Sequence, residues 1–140
     1  MTPEELAKYR QQKVDLERKE QEERQRLQDD AIARRAADEA AAQKAIAEEA
    51  VPYLLEVKAA MGNGLTFNVI SDTNGQIHGL DMRVDNRGGQ IRIVGSSVQA
   101  GVLGRVSREY HAFNKIRAPQ DITRGNIGEF IKFVMDNDRP

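Results

Sequence analysis

Between Glu4 and Val51 the chain has neither glycine nor proline, and Ala, Glu, Gln, Lys, Arg and Leu dominate the run. These are the residues that lose least on entering a helix, so the segment is expected to be one long helix. Its start is marked locally. Thr2-Pro3-Glu4-Glu5 supplies a capping hydroxyl, a proline at the first helical position and a carboxylate three residues after the cap. Fully helical, residues 3–50 would extend on the order of 70 Å. Acid-before-base pairs at four-residue spacing recur at Asp15–Lys19, Glu20–Arg24, Glu22–Arg26 and Asp30–Arg34, each worth roughly 0.2–0.5 kcal/mol on an exposed helix.

Large apolar residues in this arm are few: Leu6, Tyr9, Val14, Leu16, Leu27, Ile32 and Ile46. A heptad drawn through Leu6 and Leu27 places Lys13, Glu20 and Arg34 at the same seam position, where a two-stranded coiled coil needs apolar side chains. A continuous coiled-coil seam is therefore not expected. From Ala31 to Ala50 small residues become dense, which permits close helix approach and makes this half the expected place for a homo-oligomer contact. The arm can otherwise be solvated or docked on a partner.

A core has to come from the remainder, which holds all four phenylalanines and most of the isoleucine and valine. The expected organisation is an extended helical arm over residues 1–51 and a small α+β domain over 52–140. Pro52 marks the joint because it cannot donate to a continuing helix, so the arm either ends near Val51 or kinks there and continues. A domain of roughly 90 residues buries about 60–65% of its unfolded surface, enough to fold alone.

Within that domain, Tyr53, Leu54, Val57 and Met61 follow a helical period, and Gly62-Asn63-Gly64 ends it. The period then becomes two. Leu65, Phe67 and Val69 mark one strand, Ile77, Met82 and Val84 a second with a bulge near Gly79-Leu80, and Ile91 and Ile93 a third. Asn74-Gly75 and the Asp85–Gly89 stretch supply the turns. Val98, Val102, Val106, Tyr110, Phe113 and Ile116 fit a helical stripe over 97–117, although Val98-Ala100-Val102 also satisfies a strand. Ala118-Pro119 breaks it, and a last helix carries Ile127, Phe130, Ile131 and Val134 on one face. The expected order is α-β-β-β-α-α: a three-stranded antiparallel sheet with two or three helices on one face and the other face left to water or a partner.

Chemistry-bearing motifs are sparse. The chain has no cysteine, two histidines and no Gly-Lys-Ser/Thr phosphate loop. His78 with Asp81 and Asp85 lacks metal-ligand spacing. A metal-free ribonuclease would need His78 or His111 to converge with Glu109 and a phosphate-holding cation. The expectation is therefore no enzyme, no catalytic residue, no cofactor and no metal. With 21 basic and 22 acidic residues the net charge is −1, so total charge selects neither a polyanion nor its opposite. One local cluster stands out: if 97–117 is helical, Arg105, Arg108, His111 and Lys115 gather on the face away from the valine stripe, with Arg117 and Arg124 following. The expected function is a non-catalytic protein-interaction role (adaptor, assembly factor or small protein inhibitor) in which the sheet face, the basic face or the arm meets another protein. Nucleic-acid binding through the basic face is the alternative. The N-terminal stretch lacks a signal-peptide apolar region and no run approaches the roughly 20 residues of a membrane span, so a soluble cytoplasmic chain without membrane contact is expected.

Overall fold

In the computed structural model, residues 1–104 and 106–137 are described. The chain divides into two compact units, Met1–Arg34 and Arg35–Pro140. The first is helical throughout from Pro3, within α1 (Pro3–Ala45). Thr2 Oγ1 accepts from the Glu5 backbone N–H at 3.2 Å, as its cap predicts. Leu6, Tyr9, Val14, Leu16, Leu27 and Ile32 are all exposed. The ion pairs that form in this unit are Arg18–Glu22 and Arg26–Glu23, not the four acid-first pairs the spacing offers. Both are exposed and contribute little.

In the second unit the helix does not stop at Pro52. A π-helical turn, Ile46–Ala50, joins α1 to α2 (Val51–Met61), with the Val51 N–H donating to the Ile46 carbonyl. A proline lacks the N–H of an i to i−4 bond and its ring crowds the carbonyl four residues back. The wider turn before Pro52 lets the chain remain helical past it. This segment also brings Ala42, Ile46, Ala50 and Leu54 into the core, each fully buried. The side of the Ala-rich stretch that carries them is thus occupied by the chain's own sheet.

The architecture is α+β, with a five-stranded antiparallel sheet where three strands were expected. The strands β1 (Leu65–Ser71), β2 (Ile77–Val84), β3 (Arg87–Val94), β4 (Ser97–Leu103) and β5 (Tyr110–Ala112) form a simple meander in chain order. The helix expected over 97–117 is absent. Instead, Gly95 at φ 61° and Ser96 make a tight turn that sends β4 back along β3, with Ile91 opposite Ala100 and Ile93 opposite Val98. Asp85, at φ 55°, opens the turn between β2 and β3, so Gly88 and Gly89 lie in the strand rather than in the turn. The register shift falls between Ile70 and Ser71 on β1, opposite Gly79 and Ile77, so the extra residue is His78 on β2, next to the Gly79-Leu80 step where a bulge was expected.

Inner-facing residues alternate along every long strand: Leu65; Leu80, Met82 and Val84; Gly89 and Ile91; Val98, Ala100 and Val102. Over them lies α3 (Arg124–Met135), whose Ile127, Phe130, Ile131 and Val134 are buried as their spacing predicts. Thr123 caps it by accepting the Asn126 N–H at 3.2 Å. Phe130 packs tilted against Phe113 and stacked against Phe133, at centroid separations of 5.3 and 6.4 Å. The close approach of α3 depends on Gly89, where a Cβ would stand 2.6 Å from Val134 Cγ2 and 3.0 Å from Phe130 Cζ. Tyr53 clasps α2 to α3: a Cβ on Gly128 would meet its hydroxyl at 2.7 Å.

Candidate functional site

The helix face expected to gather Arg105, Arg108, His111 and Lys115, with Arg117 and Arg124 following it, does not form, because the described part of the segment is a strand, a turn and a short strand. Arg105 lies outside the described residues. Arg108 sits in the β4–β5 turn at φ 60°, its N–H donating to the Gly104 carbonyl at 3.1 Å. His111 is half-buried on β5 opposite Val102. Lys115 pairs with Glu129. At Arg117 the backbone N–H donates to Asp121 Oδ2 at 3.0 Å and the carbonyl accepts from Val98 at 2.8 Å. The Arg124 guanidinium lies 5.3 Å from the Tyr53 ring centroid and pairs with Glu56. Lys115, Arg117 and Arg124 are thus brought to the start of α3, but two of the three cations are matched by a carboxylate. What gathers there is neutral polar structure rather than a basic field.

The histidines are not brought together either. His78 is on β2 and His111 on β5, with β3 and β4 between them, so their strands alone are about 14 Å apart at ordinary spacing. His78 Nε2 is 3.1 Å from Asp72 Oδ2. Asp72 organises the β1–β2 loop by accepting the N–H groups of Asn74 and Gln76 at 2.8 and 2.9 Å. The Gln76 N–H, foremost, holds its carboxyl below the usual carboxylate range against a smaller desolvation, with Asn74 and His78 adding to the effect. Among the described residues no group of three or more His, Asp or Glu side chains could hold a metal ion. No described helix is long and apolar enough to cross a membrane.

The feature with the most built structure is the sheet face turned away from α3. Its positions follow from parity and register. One row runs Asn68, Asp81, Gln90, Gly101, Ala112; the next runs Thr66, Arg83, Gly88, Leu103, Tyr110. Arg92 Nη2 is 2.7 Å from Asp81 Oδ1, while its Nη1 donates to the Ile91 carbonyl at 3.0 Å. Tyr110 lies across Gly101, where a Cβ would meet the phenol oxygen at 2.6 Å. Burial pushes the phenol pKa up, and the nearby Arg92 charge partly offsets it. Between Arg83 and Leu103 the missing side chain of Gly88 leaves an open depression of about 480 Å³, lined by Thr66, Asn68, Asp81, Arg83, Gln90 and Leu103. Asp81, Arg83 and Arg92 could be assigned to one face from strand parity alone. Tyr110, Leu103 and Gly88 could not, because β4 and β5 were read as helix and Gly88 as turn.

Comparison with protein-family models, curated proteins and solved structures finds no match to this chain.

Proposed function

We propose that this protein is a non-catalytic protein-interaction module whose open sheet face binds the surface of a folded protein. The observation that carries the reading is the composition and relief of that face: a tyrosine lying against a glycine, two arginines, an exposed leucine and the amides of Asn68 and Gln90 beside an open depression. Tyrosine and arginine are the residues in which protein-interface energy concentrates, and shape relief gives a partner side chain somewhere to insert. Charge on the face is mixed, and Arg92 is already committed to Asp81, which favours a polar protein surface over a phosphate backbone.

The test uses the full chain as bait in a lysate of its source cells, with each captured protein then titrated against purified variants. Tyr110→Ala should weaken binding by roughly thirtyfold, the scale of an interface hot spot, and Arg83→Glu should weaken it further. Lys132→Ala, on the opposite layer, should leave it unchanged. A partner indifferent to Tyr110 and Arg83, or binding to RNA or DNA that falls steeply with salt and depends on Arg117, would overturn the reading. So would substrate turnover lost in His78→Ala or His111→Ala.

A further inference from the structure

The sheet has two edges, and they are treated differently. Beyond β5 the chain keeps covering β4, with Phe113 N–H donating to the Ala100 carbonyl at 2.7 Å and Val98 N–H to the Arg117 carbonyl at 2.8 Å. On the other side β1 is the last strand, and no described element hydrogen-bonds to its outer side. Which groups face outward follows from the ladder. Asp85 N–H donates to the Gly64 carbonyl, so in antiparallel alternation Thr66 and Asn68 bond β2, while Leu65, Phe67 and Val69 direct N–H and C=O away from the sheet.

Soluble proteins protect such an edge with lysine, proline, an inward charge or a mid-strand bulge. Leu65-Thr66-Phe67-Asn68-Val69-Ile70-Ser71 has no charge and no proline, and its register shift comes only at the last step. Phe67 and Val69, on the inner face, are only half-buried under the helical layer.

We propose that β1 pairs antiparallel with β1 of a second copy, joining the two sheets into one across a twofold axis at Asn68. The strand is complementary to itself in that register. Phe67 opposes the partner copy's Val69 on both sides of the axis, an aromatic to β-branched pair of the kind that stabilises sheets. The outward-directed groups of Leu65, Phe67, Val69 and Ser71 meet one another, so the ladder closes along the full strand. Asn68 opposes Asn68, and no like charges meet. An unrelated extended peptide would satisfy the backbone but has no reason to match the half-covered Phe67 and Val69 pair. A twofold contact does so automatically.

The experiment is sedimentation equilibrium of the full chain across a concentration series, with hydrogen exchange read at Leu65, Phe67 and Val69. A monomer–dimer equilibrium is expected, with those three amides protected in the dimer and released on dilution. Asn68→Lys places two ammonium groups face to face at the axis and should raise the dissociation constant roughly threefold to fivefold. Val69→Pro removes an outward donor from each copy and leaves each copy's own ladder intact, and should raise it on the order of tenfold or more. Gln99→Lys, on the same face but away from the edge, should change nothing. Circular dichroism of the two β1 variants confirms that they remain folded. A wild-type chain that stays monomeric throughout overturns the proposal, as does a dimer that leaves these amides unprotected and tolerates Asn68→Lys.

Discussion

The two faces of the sheet are made by the same strands, yet adjacent residues on β3 show how differently they are built. Gly89 points inward and has Val134 and Phe130 against the place a Cβ would occupy; Gly88 points outward and a Cβ there would meet only the Met82 carbonyl oxygen, at 3.8 Å. One glycine exists because a helix has come down onto it, and the other sits where nothing has. The inner face is covered by α3, whose aliphatic and aromatic side chains pack against those of the strands. On the open face, the sheet supplies a rigid base for a polar, relieved surface whose residues contribute little to folding. If the open face binds a protein as proposed, stability and recognition are divided between alternate positions of the same strands, and substitutions one residue apart should have effects of different kinds.

The comparison is broken most severely by emptying the inner face. Phe130 is fully buried and contacts both Phe113 and Phe133. Phe130→Ala should cost about 3–5 kcal/mol through lost transfer energy and the cavity left behind, measured as a shift in urea midpoint at unchanged m. An effect below about 1 kcal/mol would mean that α3 is not fixed to the sheet as described. Next in size is Gly89→Ala, which forces a methyl into the contact with Val134 and Phe130. Overpacking of this kind should cost about 1–3 kcal/mol, and Val134→Ala in the same chain should recover part of it by making room. If the pair is simply additive, the two positions are not in the contact described.

How much of this could be read from the chain depends on whether a spacing distinguishes a strand from a helix. Leu65, Phe67 and Val69 alternate with Thr66 and Asn68, a period only a strand satisfies, and the first three strands are legible. Ile127, Phe130, Ile131 and Val134 combine spacings of three and four, which no strand face accepts, and α3 is legible too. Val98 and Val102 are four apart, and four is close to one helical turn but is also two strand periods. That ambiguity, with the odd spacings supplied only by Tyr110, Phe113 and Ile116 beyond the strand, made β4 look helical. The discriminating signal is local: Gly95-Ser96 between two β-branched runs is a hairpin turn. The expected basic face was lost with that helix. At Pro52 the chain continues as helix rather than ending near Val51, since a π-turn carries it past the proline, and Ala42, Ile46 and Ala50 of the Ala-rich run enter the core. The tertiary role of those small side chains depends on the sheet beneath them and leaves no mark in helix propensity.

The smallest expected effect on folding is the one that sharpens the comparison most. Gly88→Ala adds a methyl on the open face with only one heavy atom within reach, and the φ of Gly88 is outside the left-handed region. It should leave stability within about 0.5 kcal/mol, or raise it by up to about 1 kcal/mol by restricting the unfolded chain. Gly88→Leu extends the same position across the depression between Arg83 and Leu103, again without touching the core. A chain carrying it should unfold in urea with the wild-type midpoint to within that range while losing most of its affinity for the partner of the open face. Loss of stability in Gly88→Leu would mean that the depression is closed by packing, and unchanged affinity would place the contact elsewhere on the protein. Set beside Gly89→Ala, one residue away and facing α3, the two outcomes separate what this sheet needs in order to fold from what it keeps available for binding.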